Sequence, residues 1–127
     1  AIQNGHYNCF LRENTLLPMM YMPDAIRAII ELMEADASEL RVHSSYNVTS
    51  MNFTPAELAD EIKRHLPDFT IAYQPDFRQK IADSWPNSIN DSYATEDWGW
   101  KPKYNLEQMA ADMLINVRKK LEVNSLD

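Results

Sequence analysis

Glycine is almost missing from this chain: Gly5 and Gly99 are the only two, and they stand far apart. A phosphate-binding loop needs several glycines close together, because each lets a phosphate reach backbone N–H groups that a side chain would shield. A GxGxxG or GxxGxxG dinucleotide loop and a Walker loop are therefore excluded, and no G-x-S-x-G nucleophile elbow occurs either. Cysteine is scarcer still. Cys9 stands alone, which rules out an internal disulfide and suits a reducing compartment such as the cytoplasm. No apolar run is long enough to span a bilayer, and no signal peptide is recognisable. Positive charge is in deficit, with 12 Lys and Arg against 19 Asp and Glu, a net charge of −7. Such a surface repels nucleic acid and anionic membranes, so neither is an expected partner. The densest basic spot, Arg118-Lys119-Lys120, reads as charge placed to suit the dipole at a helix end.

Two further absences bear on chemistry. No tyrosine is followed four residues later by lysine, so the Tyr-x-x-x-Lys acid/base pair of short-chain dehydrogenases is missing. His6, His43 and His65 share no ligand spacing with one another or with Cys9, and no metal is expected. Acidic residues are scattered, and no carboxylate pair singles itself out for acid/base work. The chain opens Ala1-Ile2-Gln3-Asn4-Gly5, which reads as the tail of a helix stopped by glycine and hints at an excised segment.

What is present is the profile of one globular domain: 127 residues, 45% hydrophobic and 24% charged. Tyr7–Leu11 and Leu16–Tyr21 read as strands, the second interrupted by Pro18. From Pro23 the apolar period turns helical, with Ile26, Ile29, Ile30 and Met33 on one face up to about Ala35. Tyr46–Thr49 is a strand candidate. Thr54-Pro55-Ala56-Glu57 is a capping box with proline at the first helical position and a Phe53/Leu58 staple. Leu58, Ile62 and Leu66 follow as one stripe, with Asp60/Arg64 an exposed pair four residues apart. Phe69–Tyr73 alternates as a strand. Phe77–Ala82 reads as a short helix, and Asp91 or Ser92 caps another that ends at Gly99. Asn105 opens the last helix, with Gln108 three residues on and Met109, Met113, Val117 and Leu121 as its buried stripe. The order is α/β, and Tyr46–Thr49, the capped helix and the Phe69 strand suggest one crossover unit. A lone unit leaves sheet edges unpaired, a second hint that neighbouring strands lie outside this chain.

Trp85 draws functional interest because it stands in a proline-flanked loop between helical segments. A tryptophan in such a loop is either a packing anchor or a lid over a ligand. Trp98 and Trp100, flanking Gly99, read more simply as a helix end tucked into the core.

Several stretches resemble a known family. Asp91-Ser92-Tyr93-Ala94 followed by Asp97-Trp98-Gly99-Trp100-Lys101-Pro102 looks like the Asp-Ser-x-Ala…Leu-Gly-Trp-x-Pro signature of the extended short-chain dehydrogenases, the NAD-dependent epimerase/dehydratase group. Tyr21-Met22-Pro23-Asp24 resembles that group's Tyr-Val-Asp-Asp segment, with Pro23 a departure, and Tyr46-Asn47-Val48 resembles its Tyr-Asn-(Val/Ile) strand. Leu17-Pro18-Met19-Met20-Tyr21, Phe53-Thr54-Pro55-x-Glu57-Leu58-Ala59 and Ile81-Ala82-Asp83-Ser84-Trp85-Pro86 are similar to the group's L-threonine 3-dehydrogenase branch.

That resemblance implies a C-terminal, substrate-side segment, 1–127, of a larger Rossmann-type parent whose doubly wound sheet is incomplete here. The parent would bind NAD in a domain upstream of Ala1, which would also carry the catalytic tyrosine and lysine. It would oxidise L-threonine to 2-amino-3-oxobutanoate and form a homodimer through upstream helices. It also implies that Trp85 helps to close the substrate pocket, with its neighbour Ser84 a weaker candidate. The chain alone is then expected to be inactive. Two rival readings stand beside this one. A segment of a nucleotide-sugar epimerase/dehydratase would need basic residues for a pyrophosphate, and Arg78 is the candidate. A free-standing, non-catalytic binding module would need its sheet edges covered.

Overall fold

The computed structural model describes residues 1–124. Nine elements follow one another: β1 (His6–Cys9), β2 (Leu17–Met19), α1 (Met22–Glu34), β3 (Met51–Phe53), α2 (Pro55–His65), β4 (Thr70–Tyr73), α3 (Arg78–Asp83), α4 (Ser92–Trp98) and α5 (Leu106–Asn124). The order confirms an α/β chain. The strands make two small ladders among the described residues. β1 and β4 run parallel, from His6 opposite Thr70 to Cys9 opposite Tyr73. β2 and β3 run antiparallel, with Pro18 opposite Asn52. No described helix is long and apolar enough to cross a membrane.

Local signals explain where the helices start and stop. The Thr54 hydroxyl accepts the Glu57 N–H at 3.2 Å, while the Glu57 carboxylate accepts the Thr54 N–H at 2.8 Å. Asn105 and Gln108 make the same reciprocal pair at the start of α5, at 2.9 and 3.0 Å. Gly99 ends α4 in the left-handed region, with φ 74°, where a side chain would strain the backbone. Gly5 adopts φ 61°, and its N–H bonds to the Ala1 carbonyl at 2.8 Å, closing a helical turn. The expected cap on α4 is absent: Asn90, not Asp91, accepts the Ser92 N–H, and the Asp91 carboxylate faces the Thr49 N–H at 3.4 Å.

Two cores organise the packing. Cys9, Leu11 and Leu17 form one, against Ile71, Tyr73 and Ala82. Ala28, Ala94 and Trp100 form the other, against Met20, Tyr46, Val48 and Trp98. Trp100 is 1% exposed, and its indole N–H donates to the Thr49 carbonyl at 3.0 Å. That bond bears on why Tyr46–Thr49 is not the strand its pattern suggests. The segment lies outside both ladders, and side chains take backbone groups that a neighbouring strand would otherwise serve: Trp100 at the Thr49 carbonyl and Asp91 at the Thr49 N–H. The ladder starts only at Met51, and it pairs with β2 rather than with β4. The expected crossover unit is thus not one sheet: β4 joins β1 instead.

The apolar stripes of α1 and α5 also differ from expectation. Ile26, Ile29, Ile30 and Met33 lie exposed, Met33 at 80%, while Asp24 and Ala28 face inward. In α5 only Met109 and Ala110 are buried, and Met113 and Val117 are open. A helical period reports which face prefers an apolar neighbour; it does not place that neighbour in the same chain. On α2, Arg64 pairs with Glu61 at 2.9 Å, and Lys63 rather than Arg64 faces Asp60.

Candidate functional site

The segment after β4 is built by short-range polar contacts. Gln74 N–H and Asp76 N–H bond to the Cys9 and Phe10 carbonyls, at 2.7 and 3.3 Å, so the β1–β4 ladder continues past its last strand residue. The Asp76 carboxylate accepts the Arg78 N–H at 2.9 Å and holds the Arg78 guanidinium at 2.6 Å. That guanidinium also stacks on Phe10, 3.5 Å from the ring centroid. α3 then runs for six residues. Ser84 closes it, its hydroxyl donating to the Ile81 carbonyl at 2.7 Å. Trp85 N–H bonds to the Ala82 carbonyl at 3.1 Å. Pro86 pushes the residue before it out of the helical region and ends the turn.

Trp85 is 50% exposed, with Ser84 beside it also open to solvent. Next to them lies a polar hollow of about 280 Å³, lined by Arg12, Asn14, Thr15, Asp83 and Asn87 among others. Asp83 and Asn87 bracket Trp85 in sequence; the indole itself is not part of the lining. Arg12 and Asp83 form a half-exposed ion pair at 2.6 Å across the hollow. The Asp83 carboxyl is held below its ordinary range, first by the Gln79 side-chain amide and then by Arg12, with slight opposition from burial. Larger hollows exist. One, of about 390 Å³, is walled by Cys9, Leu11, Leu17, Phe53, Leu58 and other apolar residues. Its lining offers almost no polar surface to orient a small polar substrate, so it is a packing groove.

Two further polar clusters were not legible from the sequence. Asp24 has 0% exposure, yet it carries a carboxylate. It accepts the backbone N–H groups of Lys103 and Tyr104 at 3.0 Å and the Arg27 guanidinium at 2.9 Å. Arg27 in turn lies over the Trp100 ring at 4.5 Å and donates to the Lys101 carbonyl. Around Asp97, the Arg41 guanidinium and the Tyr46 hydroxyl converge, at 2.6 and 2.5 Å. Both clusters join segments far apart in the chain, so no local spacing announces them.

The carboxyl and guanidinium shifts in these clusters all favour the charged form. Asp24, Asp83 and Asp97 are all held below the ordinary carboxylate range, and Arg27, Arg41 and Arg78 are raised. Such groups stay charged at neutral pH; they bind and orient, and do not exchange protons there. The residues present do not fit a dinucleotide. Gly99 ends a helix and Gly5 closes a turn, so neither opens a helix toward a pyrophosphate. Among the described residues, no group of three or more His, Cys, Asp or Glu is placed to hold a metal ion.

No protein-family model matches the chain. A mitochondrial L-threonine 3-dehydrogenase of Sus scrofa is 50% identical over 115 residues, which is 90% of this chain and 31% of that protein. An uncharacterized epimerase/dehydratase of Staphylococcus haemolyticus is 44% identical over 121 residues, 94% of this chain and 38% of that one. Among solved structures, the apo form of a GalE-like L-threonine dehydrogenase from Cupriavidus necator superposes with a TM-score of 0.88 at 56% identity, covering 91% of this chain and 42% of its own. The chain thus spans 31–38% of the length of these curated relatives. In sequence and in fold alike, it is similar to a segment of L-threonine 3-dehydrogenases and of epimerase/dehydratase relatives.

Proposed function

We propose that this chain is the substrate-side segment of an NAD-dependent L-threonine 3-dehydrogenase and is inactive by itself. The observation that carries this reading is the likeness to threonine dehydrogenases across nine-tenths of the chain, in sequence and in fold together. In this reading NAD and the acid/base chemistry belong to a domain beyond this segment, in keeping with the missing glycine loop and Tyr/Lys pair. The unpartnered apolar faces of α1 and α5 support the same view, since each is suited to a neighbour. In this reading Trp85 covers the threonine pocket, with Ser84 beside it. Hydride transfer benefits from exclusion of water, and a rigid indole on a loop supplies that cover. The Ser84 hydroxyl already donates to Ile81, so its oxygen offers only lone pairs to a substrate ammonium. In this reading the contacts of a homodimer belong to the remainder of the protein. The cytoplasm is the compartment this reading takes; the Sus scrofa relative carries a mitochondrial name. Imaging of the tagged full-length protein decides between them.

The test is an assay with L-threonine and NAD of the 127-residue chain, of the full-length protein and of its Trp85 variants. The segment is expected to turn nothing over. In the full-length enzyme, Trp85→Ala is expected to lower kcat/KM for threonine about 10–100-fold, and Trp85→Phe by less. Turnover by the segment alone would contradict its dependence on a second domain. Unchanged kcat/KM in both variants would leave Trp85 a packing residue.

The epimerase/dehydratase names of the staphylococcal relatives favour a second reading, in which the parent acts on a nucleotide-sugar. Arg78, its candidate for the pyrophosphate, is already engaged by Asp76 and by the Phe10 ring. Turnover of nucleotide-sugars but not threonine by the full-length protein would establish it. A free-standing binding module is the third reading, and the open faces of α1 and α5 count against it.

A further inference from the structure

A short helix that buries one side chain needs a specific reason to stay in place. α3 buries Gln79 alone, at 5% exposure, while Phe77, Ile81 and Trp85 around it remain open. Six residues form too few helical hydrogen bonds to hold themselves. The anchor is polar. The Gln79 side-chain carbonyl accepts the Arg12 N–H at 2.7 Å and faces the Thr15 hydroxyl at 3.3 Å. Its amide donates to Asp83, one turn on, at 2.7 Å and lies 3.1 Å from the Thr15 oxygen. Thr15 is itself buried, and the Arg12 guanidinium closes the outside of the cluster over Asp83.

We propose that Gln79 is the positioning residue for Trp85, fixing α3 and the loop that follows it against the segment Arg12–Thr15. The proposal rests on the reading of Trp85 as the cover of the substrate pocket. One amide serves the Arg12 N–H and the Thr15 hydroxyl, and it shares the Asp83 carboxylate with the Arg12 guanidinium. Removing it leaves the Arg12 N–H and the Thr15 hydroxyl without their partner and Asp83 with Arg12 alone, so α3 loses what sets its rotation. Trp85 stands two residues past Asp83 and is tied by its own N–H to the Ala82 carbonyl, so a turn of α3 carries the indole with it.

The experiment is a double-mutant cycle in the full-length enzyme, read as kcat/KM for threonine with NAD. Gln79→Met keeps the length and approximate volume of the side chain and removes its bonds. It is expected to lower kcat/KM about tenfold or more, with Gln79→Met/Trp85→Ala no worse than Trp85→Ala alone, because nothing is then left to position. The exchange Gln79→Glu/Asp83→Asn swaps amide and carboxylate while keeping an N–H···O bond between the two positions. It is expected to return activity to within about threefold of the original. Should Gln79→Met not fold, Gln79→Asn, one methylene shorter, takes its place. Costs that add in the cycle overturn the positioning role. So does a fully active Gln79→Met enzyme beside an impaired Trp85→Ala one. A Trp85→Ala enzyme with unimpaired kcat/KM overturns the cover reading itself, which separates the two failures.

Discussion

At Asp97 the carboxyl is drawn down to about 2, first by the Arg41 guanidinium, with burial opposing and the Tyr46 hydroxyl adding to the pull. The ordinary value is 3.8, so the folded state holds its proton less tightly than the unfolded chain does. Stability from this group is complete above about pH 4 and is lost as pH falls toward the folded value near 2. Asp97→Asn is therefore expected to be less stable at pH 7 and to show a shallower loss between pH 4 and pH 2. Unfolding midpoints of the full-length protein across that range check it; an acid limb identical to the original's would contradict it. Asp24 shows why such residues escape a sequence reading. Its place in the first turn of α1 is legible, and a negative charge there suits the dipole. Its actual work is to receive N–H groups 79 and 80 residues further on. Burial pushes its pKa up; the Tyr104 N–H, Arg27 and the Lys103 N–H outweigh that and leave it lowered. No spacing rule spans such a distance.

Elements defined by their own ends were legible in the sequence. Thr54 and Glu57 bond as a reciprocal pair, Asn105 and Gln108 do the same, and Gly99 supplies the left-handed stop. Thr54→Ala is expected to destabilise the protein by about 0.5–2 kcal/mol with no effect on KM for threonine, since the cap lies on structure alone. Denaturant unfolding together with steady-state kinetics tests both halves. Elements whose identity depends on a neighbour were less legible. Tyr46–Thr49 has strand composition, but a strand requires a partner, and here side chains such as Trp100 serve its backbone instead. α3 was found from its pattern within one residue of its bounds; its anchor, Gln79, was not. A glutamine between arginine and lysine reads as surface until Thr15 and Arg12 are brought to it across the fold.

Across the whole molecule, the α/β class and the segment-like character were legible, and the sheet pairing was not. The missing glycines, the missing Tyr/Lys pair and the helical stripes carried the expectation of a larger parent, in keeping with a chain that spans 31–38% of the length of its curated relatives. Pairing of β4 with β1 and of β3 with β2 required the three-dimensional arrangement. The exposed stripe of α1 yields a test at this scale. Ile29→Lys/Met33→Lys in the isolated chain replaces residues at 62% and 80% exposure. It is expected to shift stability by no more than about 0.5 kcal/mol, as for surface changes generally. Concentration-dependent self-association, followed by sedimentation, is expected to fall, because two charges break up an exposed apolar stripe. Unchanged association would mean that another surface governs it.

Cys9 carries one more consequence. The lone thiol is buried at the end of β1, opposite Tyr73, and its carbonyl receives the Gln74 N–H from the strand that leads toward α3. Cys9 is 6% exposed and the hollow it lines is apolar, so a charged thiol reagent reaches that sulfur chiefly when the junction of β1 and β4 comes apart. Within this segment the alkylation rate of Cys9 is therefore a clock for that opening event, timing how often the root of the Trp85 loop works loose. A ligand that stabilises the junction is expected to slow the clock by the same factor by which it suppresses opening.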